Sequence, residues 1–527
     1  MENRLSKLLV SNNVPTEEDV GYITDLCSES AQELDRLNHQ ILQLQSSLQS
    51  ITGKRDELQK KLDVYRAVLS PLRRCPTEIL QQIFTWTLES FPILSSDEGP
   101  LFLGRICSRW RSISIATPEL WSAVHVTVPE ALHTFQEFNV KCERLRHGFS
   151  TWLQRAGMLP LHISVFSRNE DTYQEDVPQV ARTLSLLVPL CKQWKYLSLQ
   201  VPASSLHVFS ELRGIDVPQL ESAVIACSDS NPFVLDHASR HPPFLETAPF
   251  LRRINLGDAG PLFRPVVPWN QLHFLSLDYN DWNFGAQELM HILAKCTELR
   301  ECVLIIHART DLTTTLDNPI SLPHLEKLSV STNSIVMAEV LDQLSLPSLR
   351  HLHLEGYRAE LNTIVLASLK GMLHRSQYPL QSLKLDVKRS TNLTTSLVID
   401  LLRAMPSLKA LVFTESSTQT PIIDEELLKA LSNSEDLLCP RLEIIHLPDR
   451  FTFSELTLEQ FLAMRLDPTL KEVTMLRAVY IVSYRRGLAE RFARYGERVN
   501  IVEDIPYRNL PYMGRPLSRL IEYSDEY

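Results

Sequence analysis

Two histidines with the spacing of metal ligands are the first residues whose types could do chemistry. His351 and His353 lie two apart in a stretch that alternates like a strand, so both side chains should face the same side of a sheet. A zinc site needs three or four ligands, and the pattern suggests no third or fourth. We therefore expect exposed histidines on a repeated sheet face, and no metal site.

Two charged clusters are the other candidates for a site. Asp424, Glu425 and Glu426 stand where an apolar helical pattern begins, and the positive end of a helix dipole favours acids there, so they indicate a helix start. Five arginines near the C-terminus are interspersed with Glu490 and Glu497: Arg485, Arg486, Arg491, Arg494 and Arg498. A solvated helix face explains them, with a phosphate or acidic-partner site as the alternative.

Motifs that place a nucleophile against a base are missing from the sequence. There is no G-x-S-x-G elbow, H-E-x-x-H helix, phosphate-binding Walker loop or kinase signature. The chain has only 15 glycines in 527 residues, so Gly-rich phosphate-binding loops are not expected. We predict a non-enzyme without cofactor or metal.

Composition and charge narrow the class of protein. Hydrophobic residues make up 44% and charged residues 22%, as in folded proteins of two or more domains. A net charge of −10 argues against nucleic acid as a partner. No apolar run approaches the roughly 18 residues that would cross a bilayer, and the N-terminus lacks the apolar core of a secretory signal. Nine cysteines without a C-x-x-C pair favour reduced thiols, and thus a cytoplasmic and/or nuclear location.

Residues 69–126 predict a small helical module. Pro76 stands at a helix start, where its missing N–H costs nothing, and Glu78 follows in the first turn. Apolar residues then recur at helical spacing: Ile79, Leu80, Ile83, Phe84 and Leu88. A second helical stripe follows an acidic gap: Leu103, Ile106, Cys107, Trp110 and Ile113. So short a segment has more apolar surface than it can bury within itself.

This pattern resembles the F-box family. The matching residues are Pro76, Glu78, Ile79, Leu80, Ile83, Phe84, Trp110, Leu120 and Trp121. Cys75 replaces the leucine that usually precedes the proline, and residues 91–100 lengthen the loop between the helices. The resemblance implies docking onto a Skp-type adaptor of a cullin-RING ubiquitin ligase, with contacts from Leu72, Pro76, Glu78, Ile79, Leu80, Ile83, Phe84 and Trp110. An ordinary helical hairpin packed on its own domain is the alternative.

Residues 1–68 predict a helical arm, because a heptad repeat runs from residue 34 to residue 69. Its a and d positions are Leu34, Leu37, Ile41, Leu44, Leu48, Ile51, Arg55, Leu58, Leu62, Tyr65 and Leu69. Such a repeat makes helices wind around one another so that the apolar seam stays buried. The partner could be a second copy, the rest of the same chain or a helix of another protein.

The template L-x-x-L-x-L recurs through the remaining chain. Its first positions are Trp194, Leu220, Leu251, Leu272, Leu299, Leu325, Leu349, Leu380, Leu408, Leu442 and Leu470. Most spacings lie in or near the period of roughly 20–29 residues of leucine-rich repeats, which these segments resemble. Asn280 and Asn333 stand where that family places its Asn.

Helical patterns separate the predicted strands: Gln287–Cys296, Ile364–His374, Ser396–Ala404 and Glu425–Leu431. We therefore predict an α/β solenoid over residues 166–503, with strands on its concave wall. Residues 127–165 form a helical linker and N-terminal cap, whose join resembles that of large F-box families in mushroom-forming fungi. A helix near Tyr484–Tyr495 and a strand Val499–Val502 would cap the other end, and residues 504–527 would be a tail.

Alternate strand residues should point out of the concave wall and contact a protein target. The candidates are Phe274, Asp278, Glu301, Lys327, His351, His353, Lys384 and Asp386. They mix apolar side chains with both signs of charge, as protein-binding patches do; contacts by loops or the tail are the alternative. Two hypotheses follow: a substrate-recognition subunit of a Skp–cullin–RING (SCF-type) ubiquitin ligase, or a repeat scaffold uncoupled from ligation.

Overall fold

The structure is a computed structural model that divides the chain into two compact units, residues 1–82 and 83–527. It describes residues 14–129, 135–167, 176–227, 242–257, 266–279, 286–306, 319–356, 361–376, 380–386, 393–413, 423–433, 436–447, 452–467, 473–483 and 487–503, with Ser6, Leu9 and Val10. The predicted tail at 504–527, together with Asn280, Leu470, Arg485 and Arg486, lies outside the described residues. Among the helices that the structure describes, none combines the length and the hydropathy that a membrane span requires.

A single long helix, α1 (Glu17–Leu69), confirms the helical arm. Thr16 caps it, since Asp19 N donates to Thr16 Oγ1 at 3.4 Å and Thr16 N donates to Asp19 Oδ2 at 3.1 Å. It ends at Ser70, whose extended backbone (φ −52°, ψ 131°) is the conformation favoured before a proline. None of its residues is buried.

Thirteen shorter helices follow among the described residues. They are α2 (Pro71–Arg74), α3 (Thr77–Trp86), α4 (Gly99–Ile106), α5 (Ser108–Ile115), α6 (Phe135–Arg155), α7 (Asp176–Leu184), α8 (Ala286–Leu293), α9 (Ser334–Asp342), α10 (Thr363–Ser376), α11 (Thr395–Arg403), α12 (Glu425–Ser432), α13 (Glu455–Arg465) and α14 (Leu488–Phe492). Short 3₁₀ segments, such as Pro118–Trp121 and Ala203–Phe209, take the place of helices elsewhere.

One large parallel sheet contains most of the described strands. These are β1 (Ala123–Thr127), β2 (Leu161–Phe166), β3 (Trp194–Val201), β4 (Ser222–Cys227), β5 (Arg253–Gly257), β6 (Phe274–Tyr279), β7 (Glu301–Ile306), β8 (Ile320–Ser321), β9 (Lys327–Thr332), β10 (Leu344–Ser345), β11 (His351–Gly356), β12 (Ser382–Leu385), β13 (Ala410–Phe413), β14 (Ile444–Leu447), β15 (Ala478–Ser483) and β16 (Val499–Glu503). Fourteen join in chain order, while β8 and β10 pair with each other. The fold is thus α/β, built by adding strands one after another.

The repeated leucines form the core of this sheet. In β7 and β12, buried residues alternate with half-buried ones, because successive strand side chains point to opposite faces. The template positions are in register from strand to strand, as in Leu275 beside Cys302 and Leu328 beside Leu352. Ten of the eleven predicted template copies coincide with a strand.

The eleventh copy was wrong by six residues. The strand β15 begins at Ala478, and its buried residues are Leu476, Val479 and Ile481, which repeat the template from Leu476 and not from Leu470. The pairing of Ile445 of β14 with Val479 shows that the template copy starts at Leu476.

Asn333 does not form part of an asparagine ladder but caps a helix. Its Oδ1 accepts hydrogen bonds from Ile335 N at 3.1 Å and Val336 N at 3.0 Å. Asn362 does the same for α10, accepting from Ile364 N and Val365 N, both at 3.1 Å. Asparagine is a favoured N-cap because its short side chain reaches these free N–H groups.

The second helical stripe predicted for the module, from Leu103 to Ile113, is divided between two helices, α4 and α5. Cys107 has an extended backbone (φ −159°, ψ 168°) between α4 and α5, and its Sγ accepts from Trp110 N at 3.4 Å. A cysteine that caps the second helix therefore interrupts the apolar pattern.

The long loop of the module covers the open edge of the sheet. Strand β1 lies in the segment predicted to be helical and forms the edge beside β2. On its other side, Ile93 forms a parallel bridge with His125, and His125 N donates to Pro92 O at 2.9 Å. Pro92 and Ile93 thereby cover part of an edge that would otherwise expose unpaired backbone groups.

Candidate functional site

The first candidate surface is the outer face of α2 and α3. Helix α3 buries Leu80 and Phe84, four residues apart, at 0% and 1% exposure. Ile79, on another side of the helix, is 45% exposed. Leu72, Pro76 and Glu78 are exposed as well. We call Leu72, Pro76, Glu78 and Ile79 the module surface.

The structure separates the residues predicted to contact an adaptor into two groups. Leu80 and Phe84 are buried within the chain itself, while Ile83 and Trp110 are half-buried. The rings of Phe84 and Trp110 pack against each other with centroids 4.8 Å apart. A partner could reach the module surface directly, but could not reach Leu80 or Phe84 without a rearrangement.

Sequence reasoning missed one exposed aromatic residue. Trp86 is 80% exposed at the last position of α3. It stands seven residues, or two helical turns, after Ile79, so the helical spacing could have placed both on one face. Large exposed aromatic residues are enriched among the anchors of protein interfaces.

Trp121 supports the module from inside. It is 2% exposed, and its indole Nε1 donates to Ser114 O at 2.8 Å. Its ring meets Trp152 of α6 edge-on with centroids 4.9 Å apart. The late Leu-Trp of the F-box-like pattern, Leu120 and Trp121, is therefore a core element.

The second candidate surface is the polar face of the sheet. Glu301, Lys327 and His351 are side by side on β7, β9 and β11. The next row on the same face includes Ser329, His353 and Lys384. Because the strands are parallel and in register, residues far apart in sequence form continuous rows, which we call the sheet face.

Charges on the sheet face interact with each other. Lys327 Nζ lies 3.0 Å from Glu301 Oε1, and both side chains are about one-third exposed or less. Burial, and then Lys327, lowers the pKa of His351. Burial, followed by Lys384, lowers the pKa of His353 to about 4. Both imidazoles are therefore neutral near pH 7, and His353 Nδ1 is hydrogen-bonded to Ser329 Oγ at 3.0 Å.

Phe274 is on the sheet face but is not available for contact. It is 4% exposed, because the guanidinium of Arg253 lies over its ring, 4.4 Å from the centroid. The prediction of an exposed aromatic contact at Phe274 was therefore wrong: a cation–π pair covers it. Asp278 and Asp386 are half-buried at the carboxyl ends of β6 and β12.

The charged clusters noted in the sequence have structural partners. Asp424 caps α12 by accepting from Leu427 N at 3.0 Å, which confirms the predicted helix start. Arg491 and Arg494 pair with Glu455 and Glu459 of α13.

Metal chemistry finds no support in the described part of the chain. No group of three or more His, Cys, Asp and Glu residues there could hold a metal ion. The cysteines described are free thiols, of which Cys27 and Cys107 are exposed and Cys75 is half-buried.

Comparisons with known proteins give one structural likeness. No protein-family model matches the chain, and no curated protein matches it. Among solved structures, a chain of the crystal structure of the Rad7 and Elc1 complex in yeast is similar, with 13% sequence identity and a TM-score of 0.36. The match covers 73% of this chain and 99% of that chain. A TM-score of this size does not establish a shared fold.

Proposed function

We propose that this chain is an F-box-like substrate-recognition subunit of an SCF-type ubiquitin ligase, which captures its target through leucine-rich repeats. The observation that carries the proposal is the module surface. A short helical segment buries Leu80 and Phe84 but keeps Leu72, Pro76 and Ile79 in water. Exposed apolar side chains grouped on a small helical segment are typical of a protein contact.

The sheet supports the target-binding half of the proposal. Strands β3–β7, β9 and β11–β15 repeat the apolar template, and each pairs in parallel with the next strand of the large sheet, as expected when repeats of one supersecondary unit stack on each other. The half-buried residues of the sheet face carry both signs of charge and two neutral histidines. Such a mixed surface suits a protein partner better than the single-sign field that nucleic acid requires.

The mechanism of such a subunit is proximity. A target held beside a ubiquitin-carrying enzyme experiences a high effective concentration of that enzyme, so the reaction accelerates without local chemistry in this chain. No catalytic residue, cofactor or metal is needed.

A repeat scaffold uncoupled from ligation is the second candidate. The burial of Leu80 and Phe84 favours it, because the F-box resemblance assigns both residues to the adaptor contact. In that case the module would be an internal helical hairpin and nothing more.

Reconstitution distinguishes the two candidates. The full chain is mixed with a purified Skp-type adaptor and a cullin-RING core, and complexes are separated by size-exclusion chromatography. The ligase subunit elutes with both partners, whereas a scaffold elutes alone. A chain that never co-elutes with the adaptor at micromolar concentration would exclude the ligase function.

A further inference from the structure

The apolar seam of α1 has no partner within the described residues of the single chain. Its a and d side chains are 42–70% exposed: Leu34, Leu37, Ile41, Leu44, Leu48, Ile51, Leu58, Leu62 and Tyr65. The seam follows one stripe of a continuous helix through more than four heptads. A seam of this length is unfavourable in water and fits another helix with the same repeat.

The seam is large enough for a stable interface. Full burial of one Leu or Ile side chain removes about 60–120 Å² of apolar surface from water. Nine such side chains on each of two helices would bury roughly 1,100–2,200 Å², and specific protein interfaces bury about 1,200–2,000 Å². A second copy of α1 therefore suffices as the partner.

Charge opposes a parallel pair of two copies. In a parallel pair in register, Arg55 at an a position would face Arg55 of the second copy inside the seam. Lys61 at a g position would lie beside Arg66 at the following e position of the other helix. Both contacts place like charges together, and no e–g pair from residue 33 to residue 66 supplies a compensating opposite charge.

An antiparallel pair avoids both repulsions. When Leu34 packs against Tyr65 of the second copy, the other a positions also meet d positions, as in Ile41 with Leu58 and Leu48 with Ile51. Arg55 then faces Leu44. Its guanidinium already pairs with the outward carboxylate of Asp56, Nη2 to Oδ1 at 2.5 Å, so its aliphatic stem can cover Leu44 while its charge stays in water.

The flanking positions agree with this register. The g positions Gln40 and Ser47 would lie beside Lys61 and Lys54 of the second copy, and the e positions pair neutral side chains along most of the length. No like charges meet at the e and g positions.

We propose that α1 forms an antiparallel coiled-coil homodimer, in which residue 34 of each copy packs against residue 65 of the other. This inference does not depend on the proposed ligase function. In this arrangement the C-terminal ends of the two helices, at Leu69 of each copy, lie at opposite ends of the coiled coil.

Distances between spin labels test the orientation in the full chain. Gln32 and Gln49 are exposed and lie off the seam, so Gln32→Cys and Gln49→Cys can each carry a nitroxide. The two variants are made in a background with Cys27, Cys75, Cys107 and Cys227 replaced by serine. Light scattering gives the mass of each labelled protein, and pulsed dipolar spectroscopy gives the distance between the two copies.

The antiparallel register predicts different distances for the two sites. Labels at Gln32 would be 35 residues apart along the axis, or about 50 Å at 1.5 Å per residue. Labels at Gln49, beside the two-fold axis, would be roughly 20–30 Å apart, a distance set by helix diameter and spacing. Short distances from both sites would show a parallel pair and overturn the proposal. A monomeric mass without dipolar signal at micromolar concentration would overturn it too.

Discussion

The ring of Phe84 packs against the ring of Trp110, with the planes tilted by 55°. This contact joins α3 to α5 and fills the interior of the helical module, since Phe84 is 1% exposed. We predict that Phe84→Ala lowers the free energy of unfolding of the module by about 3–5 kcal/mol, because it leaves a cavity under Trp110. Denaturant titration followed by tryptophan fluorescence measures the change.

Trp86→Ala is the matched control for this variant. Trp86 belongs to the same helix but is 80% exposed, so its removal should change stability by less than about 0.5 kcal/mol. Equal stability of the Phe84→Ala variant and the wild type would contradict the burial of Phe84.

Arg465 is the most deeply buried charge among the described residues, at 0% exposure, and burial lowers its pKa to about 10. Its guanidinium donates to three carbonyl oxygens, those of Leu431 at 2.8 Å, Leu438 at 2.5 Å and Cys439 at 3.1 Å. We predict that Arg465→Met destabilises residues 83–527 by about 2–5 kcal/mol, because three buried carbonyl oxygens each lose a hydrogen bond from a charged donor. Chemical denaturation followed by circular dichroism measures the loss.

Arg403→Met serves as the control for Arg465. Arg403 also contacts two acceptors, Asp400 at 3.1 Å and Asp436 at 3.0 Å, but its side chain is 53% exposed. Exposed ion pairs contribute only about 0–1 kcal/mol. Similar losses for both variants would show that the buried network of Arg465 does not stabilise the fold.

The lowered pKa of His353 makes the free energy of unfolding depend on pH. Its folded pKa of about 4 lies below the ordinary value of 6.5, so the unfolded state binds the proton first as pH falls. The contribution of His353 is complete above pH 6.5 and is lost as pH drops toward 4, at a rate of at most about 1.4 kcal/mol per pH unit.

His353→Gln should reduce this dependence, because glutamine can keep a hydrogen bond to Ser329 but does not titrate. Thermal unfolding of both proteins from pH 7.5 to pH 4 gives the comparison. Other histidines contribute equally to both curves, so only the difference is diagnostic. Parallel curves would show that His353 is not held neutral by the fold.

Much of the fold could be predicted from the sequence because the apolar spacing that defines each helix or strand lies within that element. The spacing of Leu325, Leu328 and Val330 within one strand, repeated after similar intervals, sufficed to place ten strands. The long helix followed from the heptads in the same way, and Asp424 marked a helix start that the structure confirms.

Features that depend on distant residues could not be predicted. The burial of Phe274 depends on Arg253 from the preceding strand, and the strand at Ala478 was recognised only through its register with β14. The bridge between Ile93 and His125 joins a loop to an edge strand, and nothing in either segment alone indicates it. The F-box-like pattern, likewise, identifies apolar positions without saying which of them face inward.

Lys384 is the sheet-face residue whose charge is best placed to test target capture. It is half-buried beside His353, and no ion pair is formed by its ammonium group in the described part of the chain. Lys384→Glu should abolish capture of the target while leaving adaptor binding unchanged, because like charges across an interface suppress association. Quantitative proteomics of proteins bound by wild type and variant measures the loss.

The Glu301–Lys327 pair gives the companion control. Lys327→Glu alone breaks this ion pair, whereas the double variant Glu301→Lys/Lys327→Glu restores it with opposite polarity. If the sheet face recognises its target through the charges at these two positions, both the single and the double variant fail to bind the target. Capture that survives all three variants but ends when residues 504–527 are deleted would assign recognition to the tail.

The affinity for a Skp-type adaptor tests the central claim most directly. Ile79 of the module surface and Ile115 at the end of α5 are both 45% exposed, so aspartate at either position should be tolerated by the fold. The full chain and its Ile79→Asp and Ile115→Asp variants are titrated with purified adaptor by calorimetry. We predict binding by the wild type and by Ile115→Asp, and an affinity more than tenfold weaker for Ile79→Asp, because a charge would be buried in an apolar contact. Absence of wild-type binding, or equal affinities for all three proteins, would contradict the proposed function.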